Sequence, residues 1–121
     1  MSTEFVESAA QAVACVNDGD TVLIGGFGAA GQPVELIEAL LERDVGNLTV
    51  INNNAGNGET GLAALLKARR VRKIICSFPR QADSYVFDAL YRAGEIELEL
   101  VPQGNLAERI RAAGAGIGGF F

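Results

Sequence analysis

Apolar positions along the chain switch repeatedly between helical and strand periods. In residues 4–16, Phe5, Ala9, Val13 and Val16 recur at helical spacing, and Thr3 precedes Glu4 where a helix cap is expected. Asn17-Asp18-Gly19-Asp20 is a turn cluster. Residues 21–25 (TVLIG) then form a continuous apolar run of strand length, which predicts a strand buried on both faces. Pro33 opens a helix running to about Arg43, with Val34, Ile37, Leu40 and Leu41 inward and Glu35, Glu38 and Glu42 outward.

The same unit repeats. Leu48–Ile51 predicts a second buried strand, residues 52–59 a polar loop, residues 61–68 a short helix and Val71–Cys76 a third strand. Residues 82–93 predict a helix stopped by Gly94. In residues 96–101, Ile96, Leu98 and Leu100 alternate with Glu97 and Glu99, so this strand is expected to expose one face. Residues 106–113 begin one more helix. Strands separated by helices of this length predict an α/β fold with Rossmann-like layers: an open, mostly parallel sheet with helices on both faces. No linker or repeat divides residues 1–121. The run of glycine and alanine in residues 114–119 ends in Phe120-Phe121 with no polar finish, so the expectation is an incomplete domain.

Composition removes several function classes. The chain is 49% hydrophobic and 21% charged, enough to build a core. Ten Lys and Arg face fifteen Asp and Glu, and a net charge of −5 disfavours a nucleic-acid partner. With no histidine, and only Cys15 and Cys76, neither a metal site nor a disulfide framework is expected. Thr3, Glu4 and Glu7 interrupt any secretory signal, and no uncharged stretch is longer than residues 21–34, which is too short to span a bilayer. A cytoplasmic protein with no membrane partner is the expectation.

Fifteen glycines, against a usual ~7% of residues, gather in the loops, and ligands of open α/β sheets collect where such loops leave the strands. The first loop is Gly25-Gly26-Phe27-Gly28-Ala29-Ala30-Gly31-Gln32-Pro33, whose small residues let backbone N–H groups approach an anionic ligand. Gly26, Gly28 and Gly31 have dinucleotide-fingerprint spacing. The next strand, however, ends in Ile51-Asn52-Asn53-Asn54, without the carboxylate that binds ribose. A plain strand-to-helix turn and a dinucleotide-binding module both stand as alternatives. The second loop carries Asn52, Asn53, Asn54 and Asn57, neutral donors suited to a carbonyl or carboxylate, although a local turn explains them too. Glu59 at its end reads as a first-turn charge. In the third loop, residues 101–105, Gln103 follows a strand directly, where its amide can aim into the cleft and stabilise a developing oxyanion. Lys67, Arg69, Arg70, Arg72 and Lys73 read as charges at a helix C-terminus rather than a phosphate clamp. Cys76, with no histidine to activate it, reads as a small core residue.

Taken together, these loops resemble a known family. Asp18-Gly19-Asp20-Thr21-Val22-Leu23-Ile24-Gly25-Gly26-Phe27, followed by Gly31 and Pro33, is similar to the signature of the A subunits of family I CoA-transferases. The resemblance continues through Asn53-Asn54-Ala55-Gly56, through residues 101–110 and to Gly114-Ala115-Gly116, nearly the whole chain. Within the family, residues 76–81 and 83–88 look most like the branch acting on 3-oxoadipate; close relatives use acetoacetate or other short acids. The resemblance implies an enzyme that moves CoA from succinyl-CoA to a 3-oxoacid by a ping-pong route. The CoA thioester is then a substrate, no cofactor is permanently bound, and the nucleophilic glutamate lies on a partner B subunit. It implies that Gln103 helps form the oxyanion hole and that Gly25, Gly26, Phe27, Gly28, Gly31, Asn53, Asn54 and Gly56 line the substrate and CoA site. Members of the family continue well beyond the residues matched here, so the chain reads as the N-terminal portion of such a polypeptide.

Overall fold

The computed structural model describes residues 2–118; Gly119, Phe120 and Phe121, part of the predicted apolar ending, lie outside the described residues. Helices α1 (Ala9–Ala12), α2 (Val34–Glu42), α3 (Leu62–Lys67), α4 (Tyr85–Arg92) and α5 (Gln103–Gly114) alternate with strands β1 (Thr21–Leu23), β2 (Leu48–Ile51), β3 (Val71–Cys76) and β4 (Glu97–Leu100). The strands form one open sheet in the order β1-β2-β3-β4, every pair parallel. Because strand order equals chain order, each crossover steps the same way, and right-handed crossovers place α2, α3 and α4 on one face.

That face makes the core. Val22, Val50, Ile74 and Leu98 lie in register across the four strands. They pack with Ile37 and Leu40 of α2, Leu62, Leu65 and Leu66 of α3, and Phe87 of α4. Burying each such side chain contributes about 1.5–3 kcal/mol, so this one layer supplies most of the drive to fold. The opposite face carries Leu23, Ile51 and Ile75 in register, and α5 lies over them with Leu106 and Ile110. Helices thus cover both faces, as expected, but unevenly.

Several expected boundaries shift, each for a physical reason. The first helix shrinks from residues 4–16 to α1, and Ser8 caps it instead of Thr3, its hydroxyl accepting the Gln11 N–H at 3.1 Å. Phe5 is 92% exposed, because only the later part of that periodic stretch, through Val13, reaches the core. Among the described residues β1 has a single neighbour, and Leu23, on the face that α5 covers only in part, is exposed, so the expectation of burial on both faces fails. At the other edge Leu100, expected inward, is exposed, and the buried apolar residues Ile96 and Val101 flank β4 instead. Helix α4 starts at Tyr85 because Ser84 turns inward, its hydroxyl donating to the Gly56 carbonyl at 3.0 Å. Helix α5 starts at Gln103, three residues early: the Leu106 N–H bonds the Pro102 carbonyl at 2.9 Å, and the loop expected over residues 103–105 is its first turn.

Candidate functional site

The three sequence-distinctive segments meet at the carboxyl edge of the sheet. After β1 the chain closes a small hairpin in which Phe27 and Ala30 exchange both backbone hydrogen bonds, at 2.9 and 3.1 Å. Gly26, at φ 128°, is obligatory for this shape, since a Cβ there would stand 2.8 Å from Cγ of Gln32. Phe27 projects from the hairpin and is exposed.

Behind the hairpin stand three buried asparagines, which tie strand ends together. Asn52 Nδ2 donates to the Ile24 carbonyl at 2.5 Å, and its Oδ1 accepts the Asn54 N–H at 2.9 Å, joining β1 to β2. Asn54 Nδ2 donates to the Gly28 carbonyl at 3.3 Å and its Oδ1 accepts the Gly56 N–H at 2.8 Å. Gly56 itself packs on α3: at φ 91°, a Cβ there would lie 2.7 Å from the Ala63 backbone nitrogen.

Asn53 differs from its neighbours. Its carbonyl accepts the N–H groups of Ser77 and Phe78, at 3.1 and 2.9 Å, fixing its backbone against the end of β3. Its side chain reaches across the sheet edge, Nδ2 donating to Oε1 of Gln103 at 2.7 Å. Its own Oδ1 is buried without a partner among the described residues. With Oε1 of Gln103 occupied in this way, its Nε2 group, which has no hydrogen-bond partner among the described residues, is left as a donor at the N-terminus of α5.

Gly25, Gly26, Asn53 and Gln103 line one cavity of about 260 Å³, closed on the α5 side by Leu106 and Ile110. Among the described residues no ionisable side chain lines it. Its walls offer amide donors and apolar surface, which suit a polarised carbonyl on an apolar tail. They offer no acid, base or nucleophile. Of the other residues singled out in the sequence, Asn52 also lines this cavity, whereas Phe27, Gly28, Gly31, Asn54 and Gly56 do not. Gln32, which holds the loop, carries no local sequence signal beyond being an amide.

The remaining chemical groups stand apart. Glu59 is exposed, and the Lys67 ammonium hydrogen-bonded to it holds its carboxyl below the usual range, helped by the Tyr85 hydroxyl. Arg69 pairs with Glu95, Arg72 with Glu97 at 3.3 Å, and Lys73 with Glu99 at 3.7 Å. Arg70 donates to the carbonyls of Arg43, Val45 and Leu41 at the end of α2. The basic window is therefore structural, as expected, although its partners are acids and a neighbouring helix end. Burial pushes the Cys76 thiol up to about 12, matching its reading as a core residue. Among the described residues no group of three or more His, Cys, Asp or Glu could hold a metal ion, and no helix is long and apolar enough to cross a membrane.

Comparison with known proteins agrees with this layout. The chain is 65% identical over its whole length to the A subunit of 3-oxoadipate CoA-transferase from Pseudomonas putida, covering 52% of that protein. It is 68% identical, over 89% of its length, to the protein of the same description from Acinetobacter baylyi, covering 47% of it. The chain spans about half the length of these curated relatives. Among solved structures, the acyl-CoA transferase apoenzyme of Escherichia coli O157:H7 superposes with a TM-score of 0.77 at 26% identity, over 95% of this chain and 24% of that one. The family described as Coenzyme A transferase matches residues 6–121, and to that family this chain belongs.

Proposed function

We propose that residues 1–121 are the N-terminal part of the A subunit of a cytoplasmic CoA-transferase that moves CoA from succinyl-CoA to 3-oxoadipate. The observation that carries this reading is the cavity of Gly25, Gly26, Asn53 and Gln103, which has a polarising amide but no ionisable group. Such a wall can stabilise a tetrahedral oxyanion but supplies no nucleophile of its own, and the family resemblance assigns that role to a glutamate on a partner B subunit. The partner's glutamate carboxylate attacks the thioester carbonyl. As the tetrahedral intermediate forms, Gln103 Nε2 donates to its oxygen; the C–S bond then breaks, giving an acyl anhydride and CoA thiolate. The thiolate attacks the glutamyl carbonyl of the anhydride, releasing succinate and leaving a glutamyl-CoA thioester. The acceptor acid runs the same steps in reverse. No resident cofactor takes part. Gly25, Gly26, Asn52 and Asn53 line the substrate and CoA side. The choice of 3-oxoadipate rests on the descriptions of the two relatives at 65% and 68% identity.

The test is a transfer assay with the full-length chain and its B subunit, offering succinyl-CoA with 3-oxoadipate or with acetoacetate. The expected result is a higher kcat/KM for 3-oxoadipate and no saturable binding of NAD. Preference for acetoacetate would move the protein to another branch. NAD binding without CoA transfer would instead support a dinucleotide-binding module.

A further inference from the structure

Gln32 lies inside the glycine-rich segment, yet its side chain does not line the cavity. It runs back, half-buried, toward α3. Its Nε2 donates to the Gly28 carbonyl at 3.1 Å, and its Oε1 accepts the Leu62 N–H at 3.2 Å, thirty residues away in sequence. Leu62 is the first residue of α3, and Gly61 before it has no side chain with which to cap the helix. Gln32 therefore satisfies from a distance one of the amides that a helix start leaves unpaired. The path of this side chain depends on two glycines. A Cβ on Gly61 would stand 2.2 Å from Gln32 Oε1, and one on Gly26 would stand 2.8 Å from its Cγ. Gly28, which receives the Gln32 amide, also receives Asn54 Nδ2, so the hairpin is held by two donors at its turn.

We propose that Gln32 is a positioning residue: by bridging the Gly28 carbonyl to the start of α3, it holds the Phe27–Ala30 hairpin in the form that receives the CoA thioester. It touches no reacting atom. Apart from the Asn54 and Gln32 amides on the Gly28 carbonyl, the hairpin has its two mutual backbone bonds across its turn, and three glycines with φ of 128°, 61° and 78° leave many other shapes open to it. A side chain anchored on the rigid start of a buried helix removes that freedom before the ligand arrives, so less ordering remains to be done on binding. The functional half of this inference rests on the assignment of the loop to the thioester site.

The experiment uses two variants of the full-length chain, each paired with its B subunit. Gln32→Glu keeps the acceptor for the Leu62 N–H but replaces the donor facing the Gly28 carbonyl with an oxygen. Gln32→Met fills the same channel and makes neither bond. Two measurements are taken on each. Amide hydrogen exchange at Phe27 and Ala30, without ligand, reads the clamp directly. KM for succinyl-CoA, with kcat measured in parallel, reads its consequence. The expected result for both variants is exchange about tenfold faster at these two amides, KM raised about tenfold and kcat changed less than threefold, the size of one lost hydrogen bond. Unchanged exchange in a variant that folds would overturn the clamp. Faster exchange with unchanged KM would overturn the placement of the thioester at this loop while leaving the clamp standing.

Discussion

Replacing Gln103 with alanine in the full-length A and B pair separates a catalytic amide from a structural one. The change removes Nε2, the donor left free at the cavity mouth, and Oε1, the acceptor for Asn53 Nδ2 at 2.7 Å. The structural cost is bounded by that single bond. Asn53 is 8% exposed and its Oδ1 is already unpartnered, so its Nδ2 becomes a second unsatisfied group. Losing the bond costs about 1 kcal/mol, or roughly 2–4 °C in Tm for a domain of ~150–250 residues. The catalytic cost is larger. Loss of one donor to a developing oxyanion lowers kcat by about 10²–10³, because the bond strengthens only as the oxygen gains charge. The assay measures kcat for transfer from succinyl-CoA and the thermal midpoint on the same preparation. Asn105→Ala, an exposed neighbour in the same turn of α5 that does not line the cavity, serves as control. A large fall in kcat with a small shift in midpoint is expected for Gln103→Ala alone. An unchanged kcat, or a loss that follows the midpoint in both variants, would refute the role of Gln103.

Two further predictions concern residues away from the cavity. Gly56→Ala should destabilise the protein by about 2–4 kcal/mol in urea unfolding, since its Cβ would meet the backbone of Ala63 at 2.7 and 2.9 Å from a position with φ of 91°. A cost below ~1 kcal/mol would mean that α3 can back away. A thiol reagent at pH 8 should modify exposed Cys15 and leave Cys76 untouched until the protein unfolds, because a thiol pushed up to about 12 is only about one part in 10⁴ thiolate there. The sign of the linkage follows from the same shift. The native state holds the Cys76 proton more tightly than the unfolded chain, so this contribution is intact below about 9 and is lost as pH climbs from 9 toward 12. Cys76→Ala should flatten that alkaline limb.

Elements at the centre of the sheet are legible in the sequence to the residue. Leu48–Ile51 and Val71–Cys76 are the two inner strands, each with neighbours on both sides; the first is the unbroken apolar or β-branched run that burial on both faces demands, and the second keeps Val71, Ile74 and Cys76 buried around exposed Arg72 and half-buried Lys73. The edges are less legible because edge position is a property of strand order. Nothing local in the apolar run of β1 says that Leu23 will face outward, or that Leu100 will while Ile96 and Val101 do not. Helix α5 begins earlier than periodicity suggests: Gly104 and Asn105, poor helix formers, hide its first turn in the sequence, while Pro102 stands at the N-cap. The site divides in the same way. Amides and glycines at strand ends can be picked out along the chain, but the bond between Asn53 and Gln103 joins positions fifty residues apart. The bond from Leu62 to Gln32 spans thirty, and only the fold brings these groups together.

The central claim is that this chain polarises the thioester while a partner supplies the nucleophile. Intact-mass analysis of the full-length chain mixed with succinyl-CoA and its B subunit, in the absence of acceptor acid, tests it most directly. The account predicts a CoA or succinyl adduct on the partner, none on this chain, and none on either when the partner's nucleophilic glutamate is replaced by alanine. An adduct on this chain, at Glu59 above all, would contradict it.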